Sequence, residues 1–288
     1  MKFSATGATI AGVGPILVLL LLGSPAVAQS PKSKFTFLKN IQLCNTLDHT
    51  APERQINGCT AIIDSGDTTA PLVLAIAYNN RGDAYTATGN YDRAIQDFDQ
   101  SIKLDPTYAK PFNNRGVAYL KKGEYDFAIK NLDEAIRLNP NYAQAFANRA
   151  ETYQKKSEYE PAARDYDEAI RLEPDLKAIW NGRCWTRAIL GKLQAALEDC
   201  NKALKLTPND AATYDSRGLI YMKMGQFERS IDDYNFALRL EPKLASALYG
   251  RGLAKLKKGD KDGSDADISA AEIIRAKIGD DFARYGVQ

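Results

Sequence analysis

Residues 108–140 read Y-A-K-P-F-N-N-R-G-V-A-Y-L-K-K-G-E-Y-D-F-A-I-K-N-L-D-E-A-I-R-L-N-P. The stretch describes two helices folded back on each other. A first helix runs from about Ala109 to Lys122, and Gly123 ends it, because glycine adopts the left-handed conformation that closes a helix. A second runs from about Tyr125 to Leu138, with Ile129, Leu132, Ile136 and Leu138 as its apolar stripe. Pro140 then stops it, since proline has no N–H to continue the ladder. Gly116 and Ala128 are small where the two backbones approach, with Phe112, Tyr119 and Tyr125 filling the space around them. One hairpin of this size cannot bury its own apolar faces, so it needs neighbours.

The neighbours lie on both sides. Pro106, Pro140, Pro174, Pro208 and Pro242 each follow the last by 34 residues. Gly82, Gly116, Gly218 and Gly252 share that lattice, with Ala150 and Cys184 in the two intervening slots. Tyr85, Tyr119, Tyr153 and Tyr221 recur likewise, as do Ala94, Ala128, Ala162 and Ala196. This period, with these residue types, resembles the tetratricopeptide repeat family. The resemblance implies an all-α fold, a right-handed superhelical α-solenoid of antiparallel helix pairs. Five well-formed repeats follow: 75–108, 109–142, 143–176, 177–210 and 211–244. Residues 39–74 read as a degenerate leading hairpin, and 245–288 as a degenerate sixth repeat with Ala271–Val287 as one capping helix.

The amino end has a different character. Lys2 is the only charge before Lys32, and an apolar stretch centred on Ile16–Leu22 leads to Pro25 and Ala26-Val27-Ala28. A basic start, an apolar core and an A-x-A ending predict a signal peptide over 1–28 and an exported, periplasmic or extracellular chain. An uncleaved anchor is the alternative, although Gly12, Gly14, Pro15, Gly23 and Pro25 interrupt the stretch. Residues 29–38 then read as a flexible segment, and no membrane insertion is expected after cleavage.

Four cysteines bear on this address. Cys184 takes the small slot of its first helix, and Cys200 the aromatic or leucine slot of its second, equidistant from the turn near Lys192. Cys44 and Cys59 straddle the Thr50–Glu53 turn in the same way. Antiparallel pairing brings each pair together, so bonds Cys44–Cys59 and Cys184–Cys200 are expected in an exported chain. Buried thiols are the alternative.

The charge balance, 38 Lys+Arg against 36 Asp+Glu, argues against a nucleic-acid surface. His49, the one histidine, reads as a solvated turn residue and excludes a histidine-rich metal site. Neither a nucleophile elbow nor a phosphate-binding glycine loop occurs. The expectation is a chain that is not an enzyme, with no cofactor and no metal. An arginine recurs at 81, 115, 149, 183, 217 and 251, and reads as an ion-pair ladder to Asp97, Asp165, Asp199 and Asp233.

In the family that the chain resembles, the first (A) helix of each hairpin lines the groove. Carried over by position, that places Asn79, Asp83, Asn113, Val117, Glu151, Asn181, Asp215 and Tyr249 there. Asn80, Asn114 and Asn148 form a ladder that gives way to Gly182, Ser216 and Gly250. It resembles the asparagine ladder of the O-linked N-acetylglucosamine transferase branch, which implies a grip on a peptide backbone; inter-repeat hydrogen bonding by the same amides is the other reading. From the fourth repeat the lining turns apolar, through Trp185, Ile189, Leu219, Met222, Leu253 and Leu256. That is either an anchor pocket or a face covered by the C-terminal helix around Phe282–Tyr285. Lys121, Lys155, Lys223 and Lys257 share a late slot, favourable to the helix dipole or to an anionic partner. The family's carboxylate clamp is missing, because Asn79, Gln144 and Asn148 stand where it needs Lys or Arg. The resulting expectation is a scaffold that binds an extended segment of another protein. A structural subunit of a larger envelope assembly is the alternative.

Overall fold

The computed structural model describes residues 31–46, 51–65 and 70–287, and every regular element among them is an α-helix. Two compact units divide the chain, Met1–Ala118 and Tyr119–Gln288. The first holds α1 (Pro31–Cys44), α2 (Pro52–Asp64), α3 (Pro71–Ala87), α4 (Tyr91–Leu104) and most of α5 (Ala109–Lys122). In it α1 packs on α2, α2 on α3, and α3 on α4.

The second unit continues through α6 (Tyr125–Leu138), α7 (Ala143–Lys155), α8 (Tyr159–Leu172), α9 (Lys177–Ile189) and α10 (Leu193–Leu206). After them come α11 (Ala211–Lys223), α12 (Phe227–Leu240), α13 (Ala245–Lys257), α14 (Lys261–Ile274) and the short α15 (Ile278–Arg284). The pairs α7/α8, α9/α10, α11/α12 and α13/α14 are antiparallel hairpins, each stacked on the next. The helices of the segment quoted above fall where its residues place them, at Ala109–Lys122 and Tyr125–Leu138.

Two backbone devices set the period. Asp105, Asn139, Glu173, Thr207 and Glu241, each just before a proline, have φ between −142° and −133° and end their helices. A proline forces its predecessor out of the helical region by contact with that residue's own backbone. Arg275 adopts the same conformation (φ −146°, ψ 93°) although Ala276 follows it. The expected continuous helix over Ala271–Val287 is therefore two, α14 and α15, broken at the lattice position. The break falls there without a proline. Repeat six is also more complete than its composition implies, because Asp267 and Ala271 are buried as in the repeats before it.

The second device is the turn inside each hairpin. Gly89, Gly123, Gly191, Gly225 and Gly259 have φ between 72° and 88°, and Ser157 occupies the same slot at φ 61°. A side chain in this left-handed conformation costs roughly 1–2 kcal/mol by crowding of its Cβ against the following carbonyl. Ser157→Gly should thus stabilise the chain by about 0.5–1 kcal/mol, the remainder going to glycine's larger entropy in the unfolded state. Chemical denaturation measures it, and an unchanged midpoint would contradict the argument.

At the amino end the structure corrects the expected flexible segment 29–38: α1 begins at Pro31, so most of that segment is helical. Cys44 and Cys59 are bonded, with Cα atoms 4.6 Å apart, and close the α1/α2 hairpin. Cys184 and Cys200, bonded with Cα atoms 5.3 Å apart, do the same for α9/α10. Each loop is small, and cross-links of this length contribute on the order of 3 kcal/mol by restricting the unfolded chain. His49, residues 66–69 and the leader 1–28 lie outside the described residues.

Candidate functional site

The arginine ladder is built into the fold. Arg81, Arg149, Arg183, Arg217 and Arg251 each grip the aspartate sixteen residues on with two parallel bonds, as in Arg217 Nε–Asp233 Oδ2 at 2.7 Å and Nη2–Oδ1 at 2.8 Å. The remaining Nη1 of Arg149 and Arg183 reaches back sixteen residues to Asp133 and Asp167, and that of Arg217 and Arg251 to Asn201 and Asn235. One guanidinium thereby ties its own hairpin to the second helix of the preceding repeat. Arg115 pairs with Asp99, while Asn131 fills the slot of its forward aspartate.

An aromatic ring three residues earlier lies against each of five of these cations. The guanidinium-to-centroid distances are 5.5 Å for Arg81–Tyr78, Arg115–Phe112 and Arg217–Tyr214, 5.6 Å for Arg149–Phe146, and 5.0 Å for Arg183–Trp180. Sequence reasoning missed this layer, although an aromatic residue three before five of the six arginines, with Leu248 before Arg251, is a signal on the same lattice.

The A-helix face carries the candidate binding residues. In the first unit the asparagines form one continuous chain of side-chain bonds. Asn113 Nδ2 donates to Asn114 Oδ1 at 3.0 Å, Asn114 Nδ2 to Asn79 Oδ1 at 3.1 Å, and Asn79 Nδ2 to Asn80 Oδ1 at 3.1 Å. Asn80 Nδ2 ends the run on Asn45 Oδ1 at 3.0 Å and the Cys44 carbonyl at 3.3 Å. Asn79 and Asn113 are buried, and Asn79 joins its repeat to the next by accepting from Asn114, so of the expected binding residues these two lie in the interior. Asn80, Asp83, Asn114 and Val117 stay half-buried at the face.

The second unit shows why the ladder stops. Asn148 and Glu151 are half-buried there, and Gln144 Nε2 donates to Asn148 Oδ1 at 2.9 Å. At the next two glycines of the slot, a tyrosine from the preceding hairpin occupies the room an asparagine needs. A Cβ on Gly182 would lie 2.5 Å from Tyr166 Cζ, and one on Gly250 would overlap the hydroxyl of the fully buried Tyr234. Where that preceding residue is Leu132 or Cys200, the slot holds Asn148 or Ser216. In the second unit the slot's occupant follows what lies beneath it, while in the first Asn114 stands sixteen residues after Phe98, whose ring carries no hydroxyl.

Asn181 is half-buried, and its Oδ1 has no hydrogen-bond donor among the described residues. Asp215 accepts from Ser246 Oγ at 2.7 Å, and burial pushes its carboxyl up to about 7. Beyond them most of the apolar lining is covered, although Leu256 stays 47% exposed. Leu219, Met222 and Leu253 are buried in one cluster with Ile278, Phe282 and Val287. The Tyr285 ring stands edge-on to Trp185 at 5.3 Å, Tyr159 does so from the other side at 5.7 Å, and Phe282 meets Tyr249 at 4.9 Å. Lys223 Nζ donates to the carbonyls of Ala188 at 2.9 Å and Tyr285 at 2.8 Å, and burial lowers its pKa. Of the two readings of the apolar lining, α15 covering it is the one the structure adopts. Trp185, Leu219, Met222 and Leu253 hold this chain's own segment.

Among the described residues no three His, Cys, Asp or Glu side chains converge as a metal site, and no helix is long and apolar enough to cross a membrane. Stacked antiparallel hairpins on a 34-residue period, with the A helices forming a face that can hold a chain segment, define a helical-repeat scaffold. The chain belongs to the tetratricopeptide repeat family: the description "Tetratricopeptide repeat" matches residues 109–142 and 143–176, and "TPR repeat" matches 82–123, 187–225 and 218–259. Such repeats in general mediate binding between proteins and do not catalyse reactions.

Solved structures agree on the fold. The chain superposes on the Cut9–Hcn1 structure of the APC/C at a TM-score of 0.70 and 18% identity, over 94% of this chain and 51% of that one. With a tetratricopeptide repeat protein from Parabacteroides merdae ATCC 43184 the TM-score is 0.63 at 18% identity, over 87% and 99%. YrrB, described as a TPR protein with an unusual peptide-binding site, gives 0.52 at 19%, over 67% and 95%. A comparison with curated proteins finds no match.

Proposed function

We propose that the chain is an exported scaffold that grips an extended segment of a partner protein on its A-helix face. The observation that carries this reading is the half-buried polar row Asn80, Asp83 and Asn114 with Val117 beside it. Asn114 accepts from Asn113 and donates to Asn79, while Asn80 accepts from Asn79 and donates to Asn45 and the Cys44 carbonyl. An amide has two donor protons and two acceptor lone pairs, so Asn114 keeps one donor and one acceptor for a peptide group of a ligand, and Asn80 keeps one acceptor. A backbone grip of this sort tolerates many sequences, which suits an adaptor. Two disulfides and the basic, apolar, A-x-A leader support export to an oxidising compartment. YrrB's description as peptide-binding is a precedent for the fold.

A photocrosslinking residue at Val117 in exported full-length protein tests the reading, with mass spectrometry of the captured peptides. The expected outcome is a recurrent partner segment, lost at least about tenfold in Asn80→Ala/Asn114→Ala protein that melts as the parent does. Undiminished capture in that variant would move the binding surface to the opposite face or the ends, as for a structural subunit of an envelope assembly.

A further inference from the structure

The seat of α15 is more informative than a cap needs to be. The segment from α15 to Val287 crosses the A-helix face of the second unit, with Phe282 of α15 against Tyr249 on α13. Tyr285 and Val287, which follow the helix, lie against Trp185 on α9 and in the cluster that holds Met222 of α11. The contacts are those of a ligand. Phe282 and Tyr285, three apart on one helical face, enter as aromatic anchors, and Val287 follows as an aliphatic one. The polar contact with α11 goes from Lys223 to a main-chain carbonyl, that of Tyr285, so it does not read the side chain.

The seat is also imperfectly filled. An open cleft of about 360 Å³ remains beside Val287, lined by Leu193, Met222, Phe227, Lys223 and Lys257. Seating α15 takes the Lys223 ammonium partly out of water, where it donates to two carbonyls, and burial disfavours its charge. At its start, the buried Asp281 carboxylate pairs with Arg275 and Arg284, which belong to the same terminal segment and move with it. Nothing in that pairing ties α15 to the A-helix face.

Extending the proposed scaffold role, and resting on it, we infer that this face is a second docking surface whose resting occupant is α15. A partner helix with the pattern of two aromatic residues three apart and an apolar residue two further on replaces it. A partner with a larger apolar side chain at the Val287 position fills the cleft, and a carboxylate next to it faces Lys257. The surface is thus self-occupied until such a partner competes.

The test uses full-length protein carrying Trp180→Phe, which leaves Trp185 as its one tryptophan. The probe is a synthetic peptide of residues 276–288. With Phe282→Ala and Tyr285→Ala added, Trp185 emission should shift to the red, and the peptide should reverse the shift saturably. It should bind the variant at least about tenfold more tightly than the parent, whose own α15 competes. Failure of the peptide to bind a variant that keeps its helical dichroism overturns the proposal. Concentration-dependent dimerisation of the variant through its exposed face also overturns it, assigning the surface to a second copy. If the variant does not fold, hydrogen exchange of the unaltered chain decides. Amides of Phe282–Val287 should open while α13 stays protected, and exchange only together with α13 would make α15 an integral part of repeat six. Capture at Val117 does not depend on α15, so the two proposals fail separately.

Discussion

Replacing Arg217 with methionine will destabilise the folded chain by about 3 kcal/mol at neutral pH, and adding Asp233→Leu will restore most of the loss. The Asp233 side chain is only 7% exposed, and the twin bond to Arg217 is what keeps its carboxylate tolerable there. Burial already raises the Asp233 pKa against the opposing pull of Arg217. Without the arginine it rises further. An acid whose folded pKa is raised binds its proton more tightly folded than unfolded, so the penalty is full above the folded pKa. It disappears as pH falls toward the ordinary carboxylate value of about 4. The deficit of Arg217→Met should therefore shrink in acid, while the double variant, with no buried charge left, shows no such dependence. Breaking a buried pair on one side costs more than removing both partners, because the survivor remains desolvated. Urea denaturation at several pH values reads both effects. A single variant whose loss does not change with pH would contradict the assignment of the cost to Asp233.

Gly250→Ala is expected to cost about 2–3 kcal/mol, although alanine is the better helix former by up to about 1 kcal/mol. Tyr234 is wedged between two glycines, since a Cβ on Gly218 would lie 2.8 Å from its Cε1 and one on Gly250 would overlap its hydroxyl. The ring cannot retreat from one without striking the other, and it has no exposed surface to move into. Thermal melts of Gly250→Ala in the Tyr234→Leu background provide the control. There the slot resembles Leu132 followed by Asn148, and the alanine should be neutral or stabilising. Equal losses in both backgrounds would show that the tyrosine is not the cause.

The repeat lattice was legible because prolines, turn glycines and alanines act locally, each ending a helix or admitting a close contact. The ion-pair ladder and the disulfides followed from the same register, since an antiparallel hairpin brings residues equidistant from its turn together. Other features depended on reach across repeats. Asn79 and Asn113 occupy A-helix positions that a family resemblance places in the groove, yet both are buried, and Asn79 is linked to the next repeat through Asn114. Whether the next slot could hold an asparagine depended on Tyr166 and Tyr234, each sixteen residues earlier and in a different hairpin. The position of α15 had the weakest local signal. Its apolar residues indicate a buried face, and the lining of Trp185, Met222 and Leu253 read as either an open anchor pocket or the face they cover; the three-dimensional packing decides for the second. The helix over 31–38 was missed for a related reason: this stretch precedes the lattice, and the hairpin was read as starting only beyond it.

The tyrosine–glycine fit has a bearing on how such a chain can be cut and rejoined. Tyr166 belongs to one 34-residue copy and the glycine that accommodates it, Gly182, to the next, and the same is true of Tyr234 and Gly250. A cassette excised at the prolines would separate each ring from its complementary hollow, and transplanting it would set a tyrosine against an asparagine. Cut instead at the hairpin turns, at Ser157 and Gly191 or at Gly225 and Gly259, each second helix travels with the first helix that follows it. The inheritable module of this array is staggered by half a hairpin from the one its prolines mark.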